Sequence, residues 1–397
     1  MNYRNSQWKS RLLLFALTGA LAVTACSRGS KQDENSFTLE SGHTKVFYEQ
    51  GKYGGWPANW GMWNWGDEIL VGFTMADHED RQGHTFNQSS SLTMFSRSVD
   101  GGKTWTLEDG FDQGITEATV EHNIGDKSVK AVPLPEPIDF TQPNFAFTFR
   151  MTHMLDGPTS FYFTNDRGKT WNGAYQLIID FPDPQPVGVV SRTDYIIEGK
   201  HEMTAFLTVG FRDDDKNWRE VACVRTTDGG MSWQFLSWIG EHGINSIMPS
   251  SLRLDNDRLL TLIRRTKPAE MAAFISSDNG LSWAKLVDPV IVDANGHPPA
   301  LLQLQDGRLC LVYGIRNPNT EKEGRGMYVV YSEDEGQTWS APKQIRGGDG
   351  PNGDIGYPRS VELPDGSVLA TYYYNNADQG DKYRYIAATV FDPNALQ

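Results

Sequence analysis

The chain has 397 residues, 39% of them hydrophobic and 12% aromatic, enough to bury a large core in a single domain. Its formal charge of -14 argues against a surface built for nucleic acid, which needs a basic patch. It also argues against docking on anionic lipid by charge alone.

In chain order, Arg4, Lys9 and Arg11 form a basic n-region, and Leu12 to Ala22 form an apolar stretch too short to span a bilayer. Val23-Thr24-Ala25-Cys26 then reads as a bacterial lipoprotein cleavage box. Residues 1–25 are therefore predicted as a signal peptide. Cys26 is expected as the lipidated N-terminus, and residues 26–36 as a polar tether. The expected location is the cell envelope, with a lipid anchor and no membrane helix. An ordinary secretory signal with a chance cysteine is the alternative.

From residue 37 to 397 one phrase recurs five times. The first copy is Ser98-Val99-Asp100-Gly101-Gly102-Lys103-Thr104-Trp105. The others run from Thr164 to Trp171, Thr226 to Trp233, Ser276 to Trp283 and Ser332 to Trp339. Each follows a strand-like apolar run. The hydroxyl and the Asp carboxylate suit turn amides, the Gly supplies positive φ, and the Trp buries a large apolar face under the turn. The five aspartates are turn staples, not a catalytic set. They recur every 50–66 residues, which fits one four-stranded blade per repeat.

A second signal marks the first hairpin of a blade: Leu252 to Leu259, Leu302 to Leu309 and Val361 to Val368, each turning on acidic or Asp-Gly residues. No box follows the third copy, so it opens a sixth blade that ends near Tyr385 to Val390. A strand near Phe37 to Tyr48 is expected to complete that blade and close the ring. The fold class is all-β, a six-bladed β-propeller with Asp-box turns. The second blade, around Phe145 to Phe149, carries the weakest marks. Cys223 and Cys310 fall in strand-like runs of different repeats and read as small buried apolar residues.

These Asp boxes resemble those of the sialidase superfamily of β-propellers, over nearly everything after the export segment. The phrases Trp238-Ile239-Gly240, Ser246-Ile247-Met248-Pro249-Ser250 and Gly356-Tyr357-Pro358-Arg359-Ser360 are similar to those of bacterial exported sialidase-like proteins.

In a four-stranded meander, alternate connections share a face. The boxes and the Asp-Gly hairpins therefore lie together. The opposite face collects the starts of first strands and the ends of second strands. Starts include Trp56-Pro57, Arg192-Thr193, Ile247-Met248-Pro249, His297-Pro298 and Tyr357-Pro358-Arg359; ends include Asp77 to Asp80, Arg150 with His153, Arg212, Arg264-Arg265 and Arg316. An acidic protein thus gathers at least six arginines on one rim. The guanidinium fork suits a carboxylate or sulfate, although about half of these arginines are expected to pair with neighbouring acids.

The resemblance implies a glycoside hydrolase acting on a terminal acidic sugar. It implies Tyr357 as the nucleophile and Asp77 as the acid/base, with His78, Glu79 and Asp80 as rivals. Arg265 and Arg316 fall where clamp arginines sit, and Trp56 is a candidate sugar-stacking ring. The family opens its first blade with an Arg-Ile-Pro phrase; here Gly55-Trp56-Pro57-Ala58 lacks that Arg, with Arg192 or Arg359 as the substitute. Two other readings stay open. One is a polysaccharide lyase, in which a His or Tyr base abstracts a proton beside a uronate carboxylate. The other is a non-catalytic glycan- or protein-binding propeller. No cofactor or metal motif is read, and the expected state is a monomer.

Overall fold

The computed structural model describes residues 42–115, 130–266, 268–290, 296–317 and 324–395. The predicted signal peptide, Cys26, the tether and residues 37–41 lie outside the described residues. Six sheets, antiparallel except where Ile179–Asp180 runs parallel to Trp233–Ile239, form a six-bladed β-propeller. The strands read as short apolar runs because the middle strands of a blade are covered on both faces. Met203–Arg212, for example, is buried at every position but the last.

Blade 4 shows the pattern plainly. Ser246–Arg253 is innermost, followed outward by Leu259–Thr266, Ala269–Ser276 and Ala284–Lys285. Blade 6 runs outward from Gly356–Glu362 through Val368–Asn376 and Asp381–Phe391. Its outer strand is His43–Phe47, from the other end of the chain. Among the described residues blade 2 has three strands, Ala146–Met151, Thr159–Thr164 and Asn172–Gln176. Cys223 and Cys310 are buried free thiols.

The five boxes share one geometry. In the first, the Gly102 amide donates to Ser98 Oγ at 2.8 Å, and Ser98 Oγ donates to Asp100 Oδ1 at 2.8 Å. The Thr104 amide donates to Asp100 Oδ1 and its hydroxyl to Oδ2, at 2.9 and 2.6 Å. Gly102 has φ 86° and no room for a side chain, because a Cβ there would lie 2.1 Å from Leu369. The first box and the Asp365 hairpin line one cavity of about 730 Å³, so both connections lie on the same face.

Inner strands are the irregular ones. In blade 1, Lys52–Gly55 and Met62–Trp65 both pair with Glu68–Asp77, and the short helix Pro57–Trp60 separates them. In blade 3, Gly188–Val189 and Tyr195–Ile197 flank a gap that holds Arg192. Blades 4 and 6 carry register shifts at Ile247/Pro249 and Gly356/Arg359. Such interruptions re-aim side chains.

Candidate functional site

Three of these interruptions hold a bulky residue in the left-handed region directly before a proline: Trp56 (φ 58°), Met248 (φ 56°) and Tyr357 (φ 53°). Proline disfavours helical backbone at the preceding residue, and a large side chain at positive φ is strained. Ala58, Ile247 and Met248 pack together against Tyr357, so the starts of blades 1, 4 and 6 meet around this tyrosine.

Tyr357 is partly buried and surrounded by cations. Arg264, at the end of the second strand of blade 4, donates from Nη1 to the Tyr357 hydroxyl at 3.0 Å. The Arg316 guanidinium carbon lies 5.0 Å from the Tyr357 ring centre, held by a 2.9 Å bond from Nε to the Ile355 carbonyl. Arg192 is fixed by a 2.8 Å bond from Nε to Asn59 Oδ1. All three arginines are buried. Burial alone raises a phenol pKa, but the charges of Arg264, Arg316 and Arg192, with His84, outweigh it and bring Tyr357 down to about 7. A tyrosine half-ionised at neutral pH is a usable nucleophile or base.

Beside it, His84 Nδ1 lies 2.6 Å from Asp354 Oδ1. Asp354 also accepts from the Tyr373 hydroxyl at 2.8 Å and from Arg384 Nε at 3.0 Å.

Among the residues expected from the sequence, the structure brings together Tyr357, Arg192 and Arg316. Arg265 faces away from Tyr357. Its buried guanidinium sits between Glu241 and Glu270, 2.5 Å from the latter. Its neighbour Arg264 faces Tyr357 because successive residues of a strand point to opposite sides. Arg359 lies off the clamp: its Nη2 donates to the carbonyls of Ala58, at 2.7 Å, and Thr193. With Asp194 it lines a cavity of about 270 Å³. Burial raises Asp194 to about 6, against the pull of Arg359 and the bonds from Ser251. Trp56 is 3% exposed and packed among Tyr53, Phe86 and His84. It is a wall of the site, not an open stacking platform.

Asp77 does not suit the role of proton donor. Its carboxylate is 53% exposed and 2.8 Å from Lys52, and the Lys52 bond holds it below the usual carboxylate range. His78 pairs with Asp80 at 3.0 Å and packs edge-on against Tyr383. The sequence places His84 on the rim but does not single out Asp354 as its partner, Arg264 as the arginine that contacts Tyr357, or Asn59 as the support of Arg192. The Arg264-Arg265 doublet was the one signal for Arg264. Among the described residues no group of three His, Cys, Asp or Glu side chains is placed to hold a metal ion.

Residues 148–369, more than half of the chain, match the family described as a BNR repeat-like domain. The protein belongs to this family. As a BNR-repeat propeller, it is similar in fold to a protein of unknown function from Dyadobacter fermentans. The identity is 19% and the TM-score 0.60, covering 88% of this chain and 98% of that one. It is likewise similar to the NanB sialidase of Streptococcus pneumoniae, at 11% identity and TM-score 0.59, covering 91% and 72%. An α-L-arabinofuranosidase of Fusarium graminearum matches at 12% identity and TM-score 0.52, covering 88% and 99%. No curated protein matches the BNR-repeat chain.

Proposed function

We propose that this protein is an exo-acting glycoside hydrolase for a terminal sugar that bears an acidic group, with Tyr357 as its nucleophile. The Arg264 bond to the Tyr357 hydroxyl, inside a set of three buried arginines, carries the assignment. The arginines hold the acidic group and lower the phenol pKa with the same charges. A tyrosine also avoids the repulsion that a carboxylate nucleophile meets at a carbon beside a carboxylate. The fold shared with a sialidase and an arabinofuranosidase agrees with this chemistry.

One observation favours a second reading. The atom bonded to the Tyr357 hydroxyl belongs to a guanidinium, not to a carboxylate. A phenolate so held also suits proton abstraction beside a uronate carboxylate, which is lyase chemistry. Incubation with a panel of sialosides and uronate polymers separates the two. A saturated monosaccharide, lost in Tyr357→Phe, supports the hydrolase. An unsaturated uronate absorbing in the ultraviolet moves the assignment to a lyase. Binding without any product favours a glycan-binding propeller.

The export reading stands as a proposal beside this one. Mass spectrometry of the protein from membranes is expected to find a diacylglyceryl or acyl group on Cys26, and Cys26→Ser is expected to release the protein.

A further inference from the structure

Asp77, exposed and tied to Lys52, does not suit the role of proton donor to the leaving oxygen. We propose that His84, oriented by Asp354, is the acid/base of the Tyr357 site. This deepens the hydrolase reading and rests on it.

The geometry fixes one orientation of the ring. Asp354 is 10% exposed and accepts from Tyr373 and Arg384 in addition to His84. An ionised carboxylate only accepts, so His84 Nδ1 must carry its proton toward Asp354. Nε2 is then the nitrogen that gains and loses a proton, the arrangement by which an aspartate orients a catalytic histidine elsewhere. Trp56 meets the imidazole edge-on at 5.0 Å and 90°, and Tyr53 approaches Nδ1 at 3.4 Å from the inner strand of blade 1. The His84 side chain is still 43% exposed, so a ligand can reach it.

The charged groups that act on His84 are Asp354 and Tyr357, which favour the imidazolium, and Arg316, which opposes it. Burial lowers the pKa, but the Asp354 bond and charge outweigh it, and the net shift is upward from 6.5. Asp354 stays ionised: burial pushes it up, and His84 and Arg384 more than offset this.

The step balances without a co-reactant beyond water. The Tyr357 phenolate oxygen bonds to the anomeric carbon as the bond to the leaving oxygen breaks. That oxygen takes the proton from His84 Nε2. In the second half, water gives a proton to Nε2, its oxygen bonds to the anomeric carbon, and the phenolate leaves.

The test uses two substrates with the same acidic glycone. One carries a sugar leaving group that needs protonation, the other a para-nitrophenolate that does not. His84→Gln is expected to lose about 10²–10⁴-fold in kcat/KM on the first and less than about tenfold on the second. Asp354→Asn is expected to follow the same pattern more weakly, and Tyr357→Phe to fail on both. Retained nitrophenyl turnover also shows that the variant is folded. Equal losses on both substrates by folded His84→Gln, or no loss on either, overturn the proposal. Should that variant not fold, the same comparison in Asp354→Asn decides. If wild type cleaves neither substrate, the hydrolase reading itself fails, and the role of His84 with it.

Discussion

On the box face, each of the aspartates 100, 166, 228, 278 and 334 uses both oxygens on hydroxyls and amides of its own turn. On the opposite face, Tyr357 is held by an arginine from another blade and His84 by an aspartate 270 positions away. The box bonds are local and repeated, and they stiffen each blade by itself. The Tyr357 bonds are long-range and occur once, and they depend on several blades keeping their places. Burial pushes all five box aspartates up and is the largest single effect in Asp100, Asp166 and Asp228, but the turn bonds outweigh it. In Asp278 and Asp334 the hydroxyl bond dominates, and all five stay below the usual carboxylate range. At the Tyr357 site the same balance is struck by full charges, and it moves the phenol to about 7. Repetition signals architecture here; irregularity signals chemistry.

The contrast can be broken most forcefully at Tyr357. Tyr357→Phe is expected to lower kcat/KM about 10³–10⁴-fold on the substrate found in the panel. Its thermal midpoint should remain close to wild type, because only the hydroxyl is removed. Activity retained within tenfold would remove the tyrosine from the mechanism.

The adjacent arginines give a sharper comparison. Arg264→Met should cost about 10²-fold or more in kcat/KM and move the acidic limb of the pH profile upward, since a cation that lowers the phenol is gone. Arg265→Met should leave the activity of folded protein intact but lower Tm by about 5 °C or more, because it removes the buried cation between Glu241 and Glu270 and leaves the largely buried Glu270 with Lys285 alone. Kinetics and calorimetry on the pair should therefore give opposite patterns.

For wild type, the acidic limb should fall near pH 7. Below it Tyr357 is protonated and inactive; above it the phenolate forms. The basic limb should lie above the ordinary histidine value, where His84 loses its proton. Measured values belong to the coupled pair rather than to either group alone.

Breaking the box face should be milder. Asp228→Ala removes two acceptor oxygens from one turn and is expected to lower Tm by about 2–4 °C with kcat/KM unchanged. Box stability should decline as pH falls through the lowered aspartate values, and stay flat above the ordinary carboxylate range. The smallest effect is expected from Asp77→Asn, under about threefold in kcat/KM, because its carboxylate bonds Lys52 and Ser90 and not the Tyr357 site.

The box turns were legible in the sequence because five copies share one local solution, and connection parity then placed the Tyr357 rim on the other face. Arg264 was not separable from Arg265, because Leu259–Thr266 is buried on both sides. With no polar alternation along that strand, nothing sets its phase. Asp354 is paired with His84 only through folding, and no local pattern joins them. Asp77 sits at the strand end that family likeness indicates, but solvent and Lys52 decide its protonation, and neither is visible from its position in the chain.

The outer strand of blade 6 also has a consequence in time. His43 bonds to Thr389 across 346 positions. A ribosome therefore delivers His43–Phe47 first among the described strands and its partner last. Throughout synthesis the early strand has no neighbour to pair with, and the long Asp381–Phe391 strand exposes an edge as soon as it is made. Ring closure is a late, non-local event. A protein cut after residue 48 would keep every box and every residue of the Tyr357 site, yet leave that last edge open to another chain.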